Sequence, residues 1–421
     1  VVESYLPYLL LPLLMMCGVT SAPPPAPESP PPGTLDVRAF GAVGDGVSDD
    51  TAALQAALDA CAQQGGGLVF APTGRYLIKG HLDIPDHVVL EGVWRAPTAR
   101  SQYHGTTLLA VADAGQEEGT PFITLHANST LHGLTVFYPE QVDANPPKAY
   151  PWTIRGIGDN CSIVDVLLVN PYQAVDFGTY PAGRHLIRGL YAQALRRGIF
   201  VDKCFDIGRI SDVHLWPFWV DGGEVRKFTL AQGEGFIFGR TDWEYVRDSF
   251  CIGYAVGFRF TAFKDGPGNV LLTQSGSDVG PQAVVVEAVQ DHAGVSWSNC
   301  QFMAGITVKE GNRGPVKFTG CGFWGVADTT SHADLAGQGT YTFNGCHFVS
   351  WGQRDPQAPC LLARSGSLLV TACDFTEADK PQITLQEGVT SAVITSNRLR
   401  GGAKITNHSQ GDVQIGLNAA R

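Results

Sequence analysis

Near its C-terminal end the chain repeats one short pattern, and this repeat narrows the available folds more than any other feature. It reads Trp297-Ser-Asn-Cys300-Gln-Phe302, Phe318-Thr-Gly-Cys321-Gly-Phe323 and Phe343-Asn-Gly-Cys346-His-Phe348. It continues as Val370-Thr-Ala-Cys373-Asp-Phe375, Ile394-Thr-Ser-Asn397-Arg-Leu399 and Ile415-Gly-Leu-Asn418. The Cys or Asn steps by 21, 25, 27, 24 and 21 residues. Apolar residues flank it at intervals of two or three, as a short strand entering a turn requires. A period of this length means a solenoid, because one coil cannot bury its own apolar face and stacked coils can. A Cys or Asn held at one place per coil predicts an internal ladder.

The middle of the chain carries a second signature. A small or acidic residue is followed nine positions later by another turn residue: Asp165 to Ala174, Gly189 to Gly198, Asp212 to Asp221 and Asp248 to Gly257, with Gly133 to Val142 as a poorer example. The starting positions step by 32, 24, 23 and 36 residues, so the two long steps predict insertions around Val142 to Trp152 and Asp221 to Glu234. Such insertions leave the coil as loops, where sites are commonly built.

The N-terminal part differs. Asp49, Asp50 and Thr51 can start a helix whose Leu54, Leu58 and Cys61 recur at helical spacing, and Gly65-Gly66-Gly67 then leads into a strand. A helix of this kind can cover the open end of a solenoid. The stretch FGAVGDGVSDDTAALQAALDAC followed by GGGLVFAPTGRYLI resembles the N-terminal capping motif of the pectate-lyase superfamily. Polygalacturonase-like hydrolases of glycoside hydrolase family 28 and phage tailspikes share this motif. The resemblance implies an all-β, right-handed, single-stranded parallel β-helix with an N-terminal capping helix. It leaves the chemistry open, since one fold hosts many functions.

Composition agrees with a turn-rich β protein: 50 glycines, 26 prolines and 16% charged residues in 421. A net charge of −11 argues against a nucleic-acid partner. The apolar run Leu9 to Met16 is shorter than the ~20 residues of a spanning helix. Small residues and the Pro-rich stretch Pro23 to Pro32 follow it. We read residues 1–22 as an export signal, 23–34 as a linker and 35–421 as the β-helix domain. The expected location is secreted, periplasmic or on the cell surface, with no transmembrane segment in the mature protein. Met16 before Cys17 is the wrong size for a lipoprotein cleavage box, and lipidation of Cys17 stays open. Of the ten cysteines, Cys300, Cys321, Cys346 and Cys373 share one place in successive repeats and predict a free-thiol ladder rather than disulfides; with no CxxC pair and no His-rich motif, no structural zinc is expected.

The expected partner is a polysaccharide or oligosaccharide. The Asn-Thr-Asp, Asp-Asp, Gly-His-Gly and Arg-Ile-Lys signatures of polygalacturonases are missing from sensible positions. Geometry supplies the candidates. Phe137, Tyr138, Tyr172, Trp216, Phe218, Trp219 and Tyr254 occupy equivalent places in the central coils and would form an aromatic strip, since stacked strands lie ~4.8 Å apart. Tyr172, Trp216 and Trp219 are the candidate sugar contacts, while Phe137 and Phe218 are expected to pack inside. Asp176 and Asp202 fall outward on adjacent coils, two positions out of step, roughly 8 Å apart at the backbone. That separation suits an inverting hydrolase, with one acid protonating the leaving oxygen and the other activating water.

Asp242 and Glu244, alternating with Trp243 and Tyr245, are a competing pair whose carboxyl pKa aromatic burial would raise. Arg259, in the column of Asp176, and Lys264 in the next turn would instead neutralise a uronate in a lyase or epimerase; no cofactor is expected, since no dense acidic cluster proposes Ca²⁺, although a lyase often uses it. The residues favour a glycoside hydrolase; a uronate lyase or epimerase and a non-catalytic adhesin or tailspike-like protein are the alternatives. The oligomeric state is open.

Overall fold

The computed structural model describes residues 33–94, 104–216, 223–326 and 328–420. The export signal, the Pro-rich stretch to Pro32, Cys17, Phe218 and Trp219 lie outside the described residues. Each coil contributes three short strands, and every strand pairs in parallel with its counterparts one coil away. The first sheet starts with Thr34–Asp36, Gly67–Phe70, Val88–Glu91 and Thr130–His132. The second starts with Asp45–Asp49, Gly74–Ile78, Thr106–Ala110 and Thr135–Phe137. The third runs through Leu82–Ile84, Ile123–Leu125, Trp152–Gly156, Gln173–Phe177, Arg197–Val201, Glu234–Phe238 and Val256–Phe260. The protein is a right-handed parallel β-helix.

A single backbone device explains both sequence signatures. One residue per coil, between the first and second sheets, adopts the left-handed conformation, with φ between 50 and 66°. The column is Gly133, Asp165, Gly189, Asp212, Asp248, Gln274, Asn299, Gly320, Gly345, Ala372, Ser396 and Leu417. Gly, Asp and Asn predominate because they tolerate this region best. Gly189 has a second reason: a Cβ there would lie 2.3 Å from Asp165 Oδ1. The central Asp/Gly and the residue before each C-terminal ladder cysteine (Asn299, Gly320, Gly345, Ala372) are therefore the same position.

The next residue points inward and forms the ladder. Cys346 N–H donates to Cys373 Sγ at 3.4 Å, Cys373 N–H to Asn397 Oδ1 at 2.9 Å and Asn397 N–H to Asn418 Oδ1 at 3.0 Å. All cysteines among the described residues are buried free thiols. Aromatic rings repeat alongside them: Phe302–Phe323, Phe323–Phe348 and Phe348–Phe375 stack at centroid distances of 5.2, 4.8 and 4.7 Å.

The helix Thr51–Gln63 buries Leu54, Ala57, Leu58 and Cys61 against the first coils. Its cap differs from expectation. Asp49 Oδ1 accepts from the N–H and hydroxyl of Thr51, whereas Asp50 turns away to accept from Val43 and Gly44 N–H. Both insertions occur where the coil steps lengthen. The second contains a helix, Gly223–Gln232, where a loop was expected. Asp143 Oδ1, in the first insertion, accepts from Glu224 and Val225 N–H at 2.9 Å and caps that helix. The two insertions thus join beside the third sheet. Among the described residues no helix is long and apolar enough to cross a membrane.

Candidate active site

The outer face of the third sheet carries a connected network of charged side chains in the central coils. Strand register aligns Asp83, Thr124, Arg155, Asp176, Phe200, Ile237 and Arg259 in one column, so Arg259 does lie in the column of Asp176. A parallel column aligns Gln173, Arg197 and Glu234. In each column an arginine is the direct neighbour of an acid, Arg155 of Asp176 and Arg197 of Glu234.

Glu234 is the hub. Its carboxylate accepts from Arg259 Nη1 at 2.9 Å and lies 3.6 Å from Arg196 Nη1 and 4.0 Å from Arg197 Nε. Arg259 also forks onto Glu287, with Nε–Oε1 and Nη2–Oε2 both at 3.1 Å, and Thr261 Oγ1 donates to the same carboxylate. Burial opposes ionisation of Glu287, but the bonds from Arg259 and Thr261 outweigh it and hold the carboxyl below its ordinary value. Arg197 reaches Gln173 Oε1 at 2.7 Å and Glu117 at 3.7 Å. Beyond Arg259 the face opens into a cleft of about 610 Å³, floored by Gln282, Gly305, Thr307 and Asp334 and walled by Leu230 and Thr329.

Asp176 and Asp202 occupy adjacent coils with the expected offset, Asp176 pairing with Phe200 two residues before Asp202. Their surroundings differ from those of solvated outward acids. Asp176 is fully buried, takes a 2.6 Å bond from Arg155 Nε, and accepts from the Gly178 and Thr179 N–H groups. Asp202 is also buried and accepts from Arg240 N–H at 2.6 Å; burial raises its carboxyl above the ordinary value.

The second pair separates. Trp243 adopts a left-handed φ of 61°, which breaks the strand alternation between Asp242 and Glu244. Asp242 stays near the surface, bonded by Arg240 and Gln290. Glu244 turns into the core beside His185, away from Trp243 and Tyr245, which are exposed. The aromatic neighbours therefore do not bury it.

The aromatic strip is mostly interior. Tyr138, Tyr172 and Tyr254 are buried because the chain between the second and third sheets turns their side chains inward, whereas Phe137, at the end of its second-sheet strand, packs in a separate cluster with Leu109, Leu167 and Val169. Tyr172 packs on Phe228 at 6.0 Å and bonds Glu117 at 3.4 Å. Trp216 packs edge-on to His214 at 4.3 Å. Lys264 is exposed in a turn. Arg155, Glu234 and Glu287 were not singled out by the sequence reading. Alignment of Glu234–Phe238 with Arg197–Val201 would have revealed Glu234 as the register mate of Arg197.

A family model described as rhamnogalacturonase A/epimerase, pectate lyase-like, matches residues 34–168. Mannuronan C5-epimerase AlgE2 of Azotobacter vinelandii is 37% identical over 94 residues, 21% of this chain and 9% of the relative. Alginate lyase 7 of the same organism is 46% identical over 55 residues, 13% of this chain and 6% of the relative. The chain thus covers less than a tenth of the length of either relative. Among solved structures, the N-terminal fragment of bacteriophage Phi29 gene product 12 has a TM-score of 0.64 at 14% identity, over 91% of this chain and 71% of that one. That likeness is one of fold. With the coil geometry above, the chain is a pectate-lyase-like parallel β-helix protein.

Proposed function

We propose that the protein acts on a uronate-containing polysaccharide by exchanging the proton at C5, as an epimerase or lyase. The carrying observation is the row of arginines on the third sheet. Arg155 and Arg259 in one column, and Arg197 in the neighbouring column, recur every second coil, hence about 10 Å apart along the solenoid axis. A row of guanidinium forks suits a polymer bearing a carboxylate on each sugar. The likeness to a mannuronan epimerase and an alginate lyase supports the same substrate class over a neutral glycan. A paired-carboxylate hydrolase has less support, since Asp176 is already held by Arg155 and two backbone N–H groups.

Both reactions begin when a base removes the C5 proton while a cation neutralises the adjacent carboxylate. Return of a proton to the opposite face inverts C5. Loss of the C4 oxygen with its chain instead leaves a C4–C5 double bond. Glu287 is the base this network can release: a substrate carboxylate that takes the Arg259 fork frees Glu287 and returns its basicity. Among the described residues no three carboxylates converge within ligand distance of one another, so no step is routed through Ca²⁺.

The test is incubation with polymannuronate, polyguluronate and polygalacturonate in deuterated buffer. NMR would follow C5 deuteration and inversion, and absorbance would follow the unsaturated product. Deuteration is expected, with Glu287→Gln losing at least about 100-fold in rate while still binding polymer. Binding without deuteration or unsaturated product would favour the non-catalytic reading. One observation speaks for that reading: Arg155, Arg196, Arg197 and Arg259 are each already ion-paired.

A further inference from the structure

A carboxylate stands in the hydrophobic core of the solenoid. Glu244 is in register with Val270, which pairs in turn with Val295, and Glu244 is as completely buried as its core neighbours. His185 and Gly208 immediately precede Leu186 and Arg209, which are in register with Tyr245, the residue after Glu244. His185, Gly208 and Glu244 therefore share one column on three consecutive coils.

The outer two lie about 9.6 Å apart at the backbone, yet their side chains meet across the glycine, with Nε2–Oε1 at 3.0 Å. A Cβ on residue 208 would fall 2.1 Å from Glu244 Oε2 and 2.5 Å from His185 Cε1, so the contact requires glycine in the middle coil. That coil supplies Cys204 instead. One ligand-type atom from each of His185, Cys204 and Glu244 lies within 4.8 Å of the other two, and all three residues are buried.

Two details point to a missing partner. Glu244 Oε2 is buried without a hydrogen bond, a costly condition for a carboxylate oxygen. His185 Nδ1 sits 2.7 Å from the Ala182 carbonyl and can donate its proton there, so that an ion replacing the proton between Nε2 and Glu244 would meet the Nε2 lone pair, the arrangement usual for a metal-bound histidine. The donors are one thiol, one imidazole and one carboxylate. That set suits zinc-class ions, whereas calcium prefers oxygen ligands alone. Thiolate and carboxylate together carry two negative charges, which a divalent ion balances inside the core.

We propose that His185, Cys204 and Glu244 bind a divalent transition metal of the zinc type, with a water or backbone carbonyl as fourth ligand, and that this ion staples three coils together where the 36-residue step interrupts the repeat. The site is separate from the arginine row. The sequence hides it because its ligands are 19 and 40 residues apart, with neither a CxxC nor an HxxxH pattern.

The test uses the full chain, purified without a metal-affinity step, exposed to Zn²⁺, then dialysed and assayed by elemental mass spectrometry. About one equivalent is expected, and Co²⁺ exchange should give the thiolate-to-metal charge-transfer band of a tetrahedral site. Cys204→Ser should abolish that band, and His185→Gln should reduce bound metal at least tenfold. Less than about one-tenth of an equivalent in the folded wild-type chain would overturn the proposal and leave a bare His–Glu ion pair. That measurement decides the matter even where the variants do not fold. A charge-transfer band surviving in folded Cys204→Ser would equally overturn the ligand assignment.

Discussion

The coils beyond Val295 and those between Thr130 and Val286 share one backbone geometry and differ in what they carry. The left-handed column runs through both without interruption. Beyond Val295 the positions around it are filled by Cys and stacked Phe, and the core repeats almost identically from coil to coil. In the central coils the same column is flanked by two long insertions, an ion-pair network on the outer face and a His–Cys–Glu cluster inside. A solenoid separates these tasks because each coil contacts mainly its neighbours, so irregularity in one stretch leaves the next undisturbed.

If that division holds, core damage in the regular half should cost stability and leave the central face intact. Phe323→Ala removes a fully buried ring from the stack and should lower unfolding free energy by about 3–5 kcal/mol, measured by urea titration. Unchanged affinity for polymer in the folded variant is the companion expectation. A large loss of binding would show that the halves are coupled.

Acid should attack the regular half through His332. Burial among Phe323, Phe348 and Trp351 pushes its imidazole down to about 4, despite the Nε2 contact with the Val349 carbonyl. The unfolded chain then binds the proton more readily than the fold. Stability from this group is intact above the ordinary value of 6.5 and falls as pH drops from there toward 4. The loss is about 3 kcal/mol across that window, and His332→Met should flatten this part of the pH–stability curve.

The smallest effect on stability belongs to the insertions. Asp143→Ala uncaps the helix Gly223–Gln232 and should cost about 1 kcal/mol. If the joined insertions form the wall of the substrate face, polymer binding should weaken more than calorimetric stability. Equal binding by wild type and variant would remove the insertions from the site.

Much of the fold was legible because its signals are local. The left-handed turn restricts residue type at one position per coil, and the residue after it points into the core. Asp165, Gly189, Asn299 and Gly320 therefore announce themselves. The lengthened steps at Val142 and Asp221 were visible for the same reason, as departures from a period. The site was legible only in part. Arg259 could be placed in the column of Asp176 by counting, but Glu234 and Glu287 became its partners only once coils of different length were aligned. The aromatic strip was misjudged because repetition cannot tell which way the segment between the second and third sheets turns its side chains. Tyr138, Tyr172 and Tyr254 turn inward.

The amino-acid order by itself determined the coil, its period, its capping helix and the places where extra chain must leave the stack, since each follows from backbone and burial rules acting within about two dozen residues. Only the stacked structure decided which charges meet. Arg155 finds Asp176 and His185 finds Glu244 across coils, at separations set by intervening loop lengths. Whether such a group ends in water or in the core depends on neighbours that no local stretch of chain contains.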